Sequence, residues 1–223
     1  MRLAVALVLA GARASTEFWL RRPQTPALQR FMAKHAACEP NAAALAALTL
    51  PGAAGAALPR GFHARKRSRR VAGGDFAAAS AAVLGWRGDA AAAPCFVARG
   101  AGGAMATVAR TYGRVAWVVN PVRETYAVSE TRKPPAAGEP DWRRLPAGDA
   151  YCAAAYTTLG RHLLAGEERL AVVRDGGDVV VHILSASRGN GFLGALVFPF
   201  VGPMQRKFFD VQLDAVEAAA LGR

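Results

Sequence analysis

The segment from residue 151 to residue 185 constrains the fold more than any other part of the chain. It contains three predicted strands, at residues 151–159, 167–174 and 178–185. The last two are joined by Asp175-Gly176-Gly177-Asp178, whose glycines supply the positive φ angles that a tight hairpin turn requires. The longer connector between the first two is rich in Gly, His and Glu. This segment therefore predicts an antiparallel sheet, and the rest of the chain is interpreted as its support.

Four shorter strands are predicted before this segment. They cover residues 95–98, 105–110, 114–120 and 123–129. Glycines and Pro121 separate them, and the links between them have hairpin length. Their order is that of a meander, which is followed by a polar loop with several prolines at residues 132–148.

Two helices are predicted in the N-terminal half. The first covers residues 26–37, with Thr25 as the capping residue and Pro26 at the first helical position. The second covers residues 76–84 and follows Asp75, whose carboxylate suits a helix cap. A strand is predicted between them, at residues 61–71.

The C-terminal segment, residues 191–220, begins with a strongly apolar run and continues with an amphipathic pattern. Pro199 and Pro203 are expected to kink its first half or to leave it non-helical. From Met204 onward, apolar and charged residues alternate at helical spacing, which predicts a closing helix packed on the sheet. Residues 192–201 leave a membrane-lying helix as the alternative.

This order of elements predicts an α+β fold. A curved antiparallel sheet of about six or seven strands is expected to pack on one long C-terminal helix. The length of 223 residues favours a single domain, which we place at residues 15–223. Residues 1–14 are interpreted as a signal or targeting peptide, because an apolar run precedes the small-residue pattern Ala12-x-Ala14. A buried first helix or strand is the alternative.

Such a leader would direct the chain to the secretory pathway or to a plastid, whereas its absence would leave the protein in the cytoplasm. No other run of 18 or more apolar residues occurs, so no membrane-spanning helix is predicted.

The formal net charge of +12 is unevenly distributed. Six cations lie close together in and beside the predicted strand at residues 61–71: Arg60, Arg65, Lys66, Arg67, Arg69 and Arg70. They are interpreted as a solvated face of that strand, with an anionic partner as the alternative. A membrane surface is the favoured anionic partner, since no motif of a nucleic-acid-binding module accompanies the cluster.

Several kinds of site are disfavoured by the residues. The three cysteines are widely spaced, which indicates neither a disulfide framework nor a zinc site of the Cys-x-x-Cys kind. No phosphate loop, dinucleotide fingerprint or nucleophile elbow is found, and no cofactor is predicted. His182 lies in an apolar run and is interpreted as a core or edge residue.

The central segment resembles a known family. The pattern Tyr156-x-Thr158-Leu159-x-x-His162-x-x-x-Gly166-Glu167-Glu168-Arg169, with Ser187-Arg188 on the next strand, is similar to the main motif of the domain of unknown function family 1990. Plant members of that family are called uncharacterised protein family 0548. A second similar pattern is Trp117-x-x-Asn120-Pro121-x-Arg123, on a strand, a bend and the next strand. Thr157 and Gly189 depart from the family, which commonly has glycine and proline there.

The resemblance covers residues 17–216 and implies the helix-grip architecture of START-like proteins. Folds of this kind enclose an apolar cavity between sheet and helix, where a ligand is expected. The leading hypothesis is therefore a noncatalytic or weakly catalytic domain that binds an apolar small molecule or lipid between the sheet and the C-terminal helix. A basic surface that binds anionic lipid or nucleic acid is one alternative.

Seven residues are predicted to form the binding site: Asn120, Arg123, Tyr156, His162, Glu167, Glu168 and Arg188. Because adjacent residues of a strand point to opposite faces, at most one of the two glutamates faces the cavity. That carboxylate is expected to form a buried ion pair with Arg123 or Arg188. The alternatives are direct contact with the ligand, and an enzyme in which His162 and one glutamate act as acid and base or bind a metal.

Overall fold

Eight strands of the described chain form one antiparallel sheet, with three helices packed on it. The computed structural model describes residues 16–41, 47–52, 57–86, 93–110, 116–131, 139–160 and 162–223. The predicted leader at residues 1–14 and part of the predicted polar loop, residues 132–138, lie outside these ranges.

The strands are β1 (Glu17–Trp19), β2 (His63–Val71), β3 (Cys95–Arg99), β4 (Ala104–Arg110), β5 (Trp117–Thr131), β6 (Ala150–Thr158), β7 (Leu164–Asp175) and β8 (Asp178–Gly189). Their order in the sheet is β2-β8-β7-β6-β5-β4-β3, and β1 pairs with the beginning of β5. The helices are α1 (Thr25–His35), α2 (Phe76–Gly85) and α3 (Gly191–Ala220). The α+β fold with a curved antiparallel sheet and a long C-terminal helix is confirmed, with eight strands where six or seven were predicted.

Both faces of the sheet are covered. On the inner face, which we define as the one under α2 and α3, side chains such as Val172 and Val181 pack against Phe209 and Leu213 of α3. On the outer face, α1 packs over β3, β4 and β5 through its buried residue Phe31. Further along that face, apolar residues of the segments at 47–52 and 139–146 cover the sheet.

Local sequence signals account for several elements. The Asp75 carboxylate accepts hydrogen bonds from the backbone nitrogens of Ala77 and Ala78, at 2.8 and 3.2 Å, so the predicted cap of α2 is confirmed. The hairpin between β7 and β8 is also confirmed, and Gly176 in its turn has a φ of 61°. The cap of α1 is Gln24 rather than Thr25, because Thr25 is already helical.

The prediction of two strands separated by a bend at Pro121 is wrong, because β5 runs through this proline without interruption. Along one edge of β5, the pairing with β1 ends at Val119 and the pairing with β6 begins at Val122. Pro121 lies between these pairings, and its carbonyl accepts a hydrogen bond from the Leu159 nitrogen at 3.1 Å. Since N–H and C=O of a residue in an antiparallel strand point to the same side, the missing N–H falls in this gap.

Residues 191–201 are helical, which decides against the non-helical alternative for the start of the C-terminal segment. Pro199 and Pro203 are both solvent-exposed, so water can satisfy the carbonyl groups that lose their helical partner. Close packing holds the segment in place: a Cβ added to Gly194 would lie 2.2 Å from the carbonyl oxygen of Leu163.

The basic strand β2 is neutralised from within the molecule. Arg67 pairs with Asp210 of α3, and Arg69 contacts Asp214 at 2.5 Å and Glu217 at 2.6 Å. At the end of the strand, Arg70 pairs with the two aspartates that flank the β7–β8 turn. These three arginines of the predicted basic face therefore have carboxylate partners in the chain, which removes them as free cations for an anionic partner.

Candidate functional site

A cavity of about 100 Å³ lies between the inner face of the sheet and α3. Val201, Met204, Gln205 and Phe208 of α3 line one wall. The sheet supplies the other wall, and the His162–Leu164 connector contributes at one end. The exposed lining is mostly carbon, with hydroxyl, amide and carboxyl groups placed among it. Small sites of mixed chemistry such as this one suit a ligand with an apolar body and few polar atoms.

Glu168 is an ionisable residue in the wall of the cavity that the sheet forms. Its Oε1 accepts a hydrogen bond from the Tyr156 hydroxyl at 2.7 Å and another from Gln212 Nε2 of α3 at 2.9 Å. Within the described residues its Oε2 has no hydrogen-bond partner. Burial raises the pKa of Glu168 to about 7, although both hydrogen bonds act in the opposite direction. The carboxyl group therefore changes charge near neutral pH.

The register of the sheet explains why these groups meet. Tyr156 on β6 pairs with Glu168 on β7, which in turn pairs with Ser185 on β8. Directly paired residues of antiparallel strands point to the same face, and here that face lies under α3. On the far side of Tyr156, the ring of Trp86 packs at 5.2 Å between centroids. Glu168 thus sits in a row of side chains that alternation along each strand could have revealed.

His162 lines the cavity at the end where β6 and β7 are connected. Its Nδ1 lies 2.8 Å from the Leu164 nitrogen and 3.0 Å from the Leu164 carbonyl oxygen, so either tautomer of the neutral ring has a backbone partner there. Burial lowers the pKa of His162 to about 4. The ring is therefore neutral at physiological pH.

Glu167 and Glu168 have opposite surroundings, as predicted from their adjacency. The Glu167 carboxylate accepts hydrogen bonds from the nitrogen and hydroxyl of Thr49, at 2.7 and 2.5 Å, on the outer side of the sheet. Burial raises its pKa as well. On the same side, the fully buried Arg169 donates to the backbone carbonyls of Thr49 and Arg143. Glu167 thus anchors the segment at residues 47–52 to the sheet.

The predicted ion pair of a glutamate with Arg123 or Arg188 is wrong. Arg123 donates to the carbonyls of Ala36 and Cys38, at 2.6 and 3.0 Å, and so ties the end of α1 to β5. Arg188 is exposed, and its guanidinium lies 5.4 Å from the centre of the Phe62 ring. Both arginines pair across the sheet with outer-face positions, Thr157 and Ala165, so neither can reach Glu168. Neutral donors take the place of the predicted arginine.

Asn120 and Glu167 also line the cavity, so the structure brings together five residues of the predicted set: Asn120, Tyr156, His162, Glu167 and Glu168. The Oδ1 of Asn120 accepts a hydrogen bond from the Thr16 hydroxyl at 2.8 Å. Ser185 and Gln212 were not among the predicted site residues. Ser185 follows from the alternation of β8, whereas the position of Gln212 on a helix far along the chain gave no signal.

Metal chemistry finds no support in the arrangement of the site. Within the described ranges, no group of three or more His, Cys, Asp or Glu side chains could hold a metal ion. His162 and Glu168 line the same cavity, yet each already has a hydrogen-bond partner in the protein.

Comparison with known proteins identifies the family. A family model described as a domain of unknown function, DUF1990, matches residues 46–215. The chain belongs to the DUF1990 family. A UPF0548 protein of Arabidopsis thaliana is 37% identical over 101 residues, which are 45% of this chain and 43% of the plant protein. The matched region thus spans less than half of that relative, and the resemblance predicted from the motif residues is confirmed.

Solved structures similar to this DUF1990 protein include a START superfamily protein from Mycobacterium smegmatis, with 14% identity over 70% of this chain and 97% of the other, at a TM-score of 0.39. Another is Ara h 8.0201, with 11% identity over 73% and 100% of the two chains, at a TM-score of 0.44. Norcoclaurine synthase from Thalictrum flavum is 12% identical over 73% and 88%, at a TM-score of 0.40.

Proposed function

We propose that this DUF1990 protein binds a small, mainly apolar molecule, or the end of a lipid chain, in the cavity between the sheet and α3. The observation that carries the proposal is a carbon-lined cavity with the buried carboxyl group of Glu168 at its wall, held by Tyr156 and Gln212. A buried carboxyl oxygen without a partner costs stability, and a polar atom of a ligand bound in the cavity would offset that cost at Glu168.

The size of the cavity limits the ligand. An engineered apolar cavity of about 150 Å³ holds benzene, so a cavity of about 100 Å³ accepts a body of roughly that size or slightly less. A longer molecule would need to extend past α3 or displace it. Four residues of this helix, Val201, Met204, Gln205 and Phe208, form the wall that would have to move.

The polar groups favour a hydrogen-bond donor on the ligand. Oε2 of Glu168 has no partner among the described residues and can only accept once the group is ionised. Above the pKa of about 7, a cationic amine should therefore bind better than an alcohol, and an alcohol better than a hydrocarbon. An anionic carboxylate of the same size should be excluded by charge.

Four probes that share a benzene ring and differ in its substituent test this order: benzylamine, benzyl alcohol, toluene and benzoate, each titrated at pH 8 while the melting temperature is followed. A ligand that binds the folded state raises the melting temperature with its concentration. Ala109→Leu fills the cavity and should abolish the response to all probes, whereas Ala127→Leu, at an exposed alanine of β5, should not. An identical response of the two variants would overturn the proposal.

A second candidate is an enzyme in which Glu168 acts as a general base. A carboxyl group with a pKa of about 7, one unpartnered oxygen and an adjacent hydroxyl is suited to accept a proton from a bound molecule. Acetone in deuterium oxide is a probe that fits the cavity, and exchange at its methyl groups is followed by proton NMR. Exchange above the buffer rate that disappears in Glu168→Gln would support this candidate, and exchange at the buffer rate would refute it.

A further inference from the structure

The first half of α3 presents an apolar stripe to solvent. Phe192 is 83% exposed and Leu196 is 58% exposed. Pro199 and Pro203, both exposed, continue the same side of the helix at intervals of three and four residues. The buried side of this segment, with Gly194 and Val201, faces the protein. The stripe from Phe192 to Pro203 is roughly 16 Å long at the helical rise per residue.

Two cations continue the stripe in the next turn. Arg206 and Lys207 are exposed, and no salt bridge within the described residues involves either of them. One turn further, the carboxylates of α3 are occupied by Arg67 and Arg69 of β2. Along its exposed side, α3 is therefore apolar from Phe192 to Pro203, positively charged at Arg206 and Lys207, and neutralised by ion pairs beyond them.

We propose that this stripe of α3, Phe192 to Lys207, docks on the surface of an anionic lipid bilayer. Exposed Phe and Leu side chains on one side of a helix insert into the boundary between headgroups and acyl chains. Arg206 and Lys207 would contact lipid phosphates, and their long aliphatic stems let the charged ends reach the headgroup level. None of the helices in the described residues is long and apolar enough to cross a membrane, so the expected mode is attachment at the interface.

Charge selects lipid over a second copy of the chain as the partner of the stripe. A two-fold symmetric dimer through this face would bring Arg206 and Lys207 of both copies to the same interface. Each copy also carries a net charge of +12, so self-association is opposed by repulsion. An anionic bilayer, by contrast, attracts both Arg206 and Lys207 and the positively charged protein as a whole.

The docking surface is separate from the cavity but adjoins it, since Val201 and Met204 of the same helix line the cavity. Docking does not depend on what the cavity binds, and the two proposals can fail independently. If both hold, the helical wall of the cavity rests on the bilayer.

Flotation with lipid vesicles tests the docking surface. The full chain is mixed with vesicles of phosphatidylcholine alone or of phosphatidylcholine with phosphatidylserine, and the bound fraction is measured at low and high salt. Binding is expected with phosphatidylserine only and should weaken as salt is raised. Arg206→Glu/Lys207→Glu should weaken binding by roughly 25-fold or more, at about five-fold for each positive charge removed. Phe192→Ser/Leu196→Ser should weaken it by roughly ten-fold or more.

Two matched variants complete the design. Arg30→Glu/Arg223→Glu changes the net charge equally at exposed positions away from the stripe, and Phe192→Leu/Leu196→Phe keeps the apolar area while exchanging its residues. The first should lose much less binding than Arg206→Glu/Lys207→Glu, and the second should bind as the unaltered protein does. The proposal is overturned if the serine variant binds fully, if the two charge-reversal variants lose binding equally, or if light scattering shows a dimer that the serine variant dissociates.

Discussion

The hydroxyl oxygen of Tyr156 lies 2.7 Å from Oε1 of Glu168, beneath α3 and at the wall of the cavity. Gln212 of α3 donates to the same oxygen at 2.9 Å. The Glu168 carboxyl group on β7 is thereby hydrogen-bonded to the neighbouring strand β6 and to the helix α3. The protonation state of Glu168 should therefore influence the stability of the folded protein.

Glu168→Gln should remove a pH-dependent loss of stability. The folded-state pKa of Glu168 is about 7, against an ordinary value of 4.5, so the folded protein binds more protons between these values. Its stability relative to Glu168→Gln should therefore fall by about 3 kcal/mol as pH rises from 4.5 to 8. Urea unfolding of both proteins across this range measures the difference. Glu39→Gln, at an exposed glutamate, should show no such trend, and a flat difference for Glu168→Gln would contradict the assignment.

His182 should lower the stability of the folded protein in acid, which is the opposite of the pH dependence expected from Glu168. Burial on β8 lowers its pKa to about 3 from an ordinary value of 6.5, and the neighbouring charges of Arg169 and Lys66 act in the same direction. Because the unfolded chain binds the proton more readily, stability should fall as pH is lowered below 6.5, by about 3 kcal/mol at pH 4.5. His182→Leu should reduce the acid-side loss by this amount, with the contribution of buried His162 remaining, whereas His63→Gln, at an exposed histidine, should leave the loss unchanged. Equal acid sensitivity of the two variants in urea unfolding would refute the prediction.

Gly166→Ala should be strongly destabilising. A Cβ at this position would lie 2.3 Å from the carbonyl oxygen of Ala186 and 2.6 Å from Ser187, both on the adjacent strand. Such contacts require the β7–β8 pairing to separate, which should cost about 3 kcal/mol or more. Gly177→Ala is the matched control, since no atom lies within 4 Å of the added carbon there. A difference between the two below about 1 kcal/mol in urea unfolding would show that the strands adjust easily.

Arg69→Met should weaken the attachment of α3 to β2. Arg69 contacts Asp214 and Glu217 with its side chain one-third exposed, so the pairs should contribute about 1 kcal/mol together. The loss should become smaller in high salt, because salt screens exposed charges. Arg30→Met, on the exposed side of α1, should have no comparable effect. A loss that is independent of salt would indicate packing of the aliphatic stem instead.

Much of the fold could be predicted from local signals. The glycines of the β7–β8 turn and the Asp75 cap act within a few residues, so the sequence shows them directly. The continuity of β5 through Pro121 could not be predicted, because it depends on β1 and β6 leaving a gap at that position. The helical conformation of residues 191–201 likewise depends on contacts such as that between Gly194 and Leu163.

The residues of the candidate site could largely be predicted from the sequence, but the hydrogen-bond partners of its carboxyl group could not. Alternation separated Glu167 from Glu168 correctly, and the motif included Tyr156 and His162. A buried carboxyl group was expected to need an arginine, whereas a tyrosine and a glutamine hold Glu168. The sequence could not show this, since the register places Arg123 and Arg188 on the outer face, and Gln212 approaches from a helix 44 residues away along the chain.

A ligand that enters the cavity between the sheet and α3 must contact side chains of both. Intermolecular nuclear Overhauser effects between benzyl alcohol and the protein detect such contacts, because they report distances of a few ångströms. We expect effects to Tyr156 on the sheet and to Phe208 on α3, and their loss in Ala109→Leu. Effects confined to the exposed Phe192, or none at saturating benzyl alcohol, would contradict binding in the cavity.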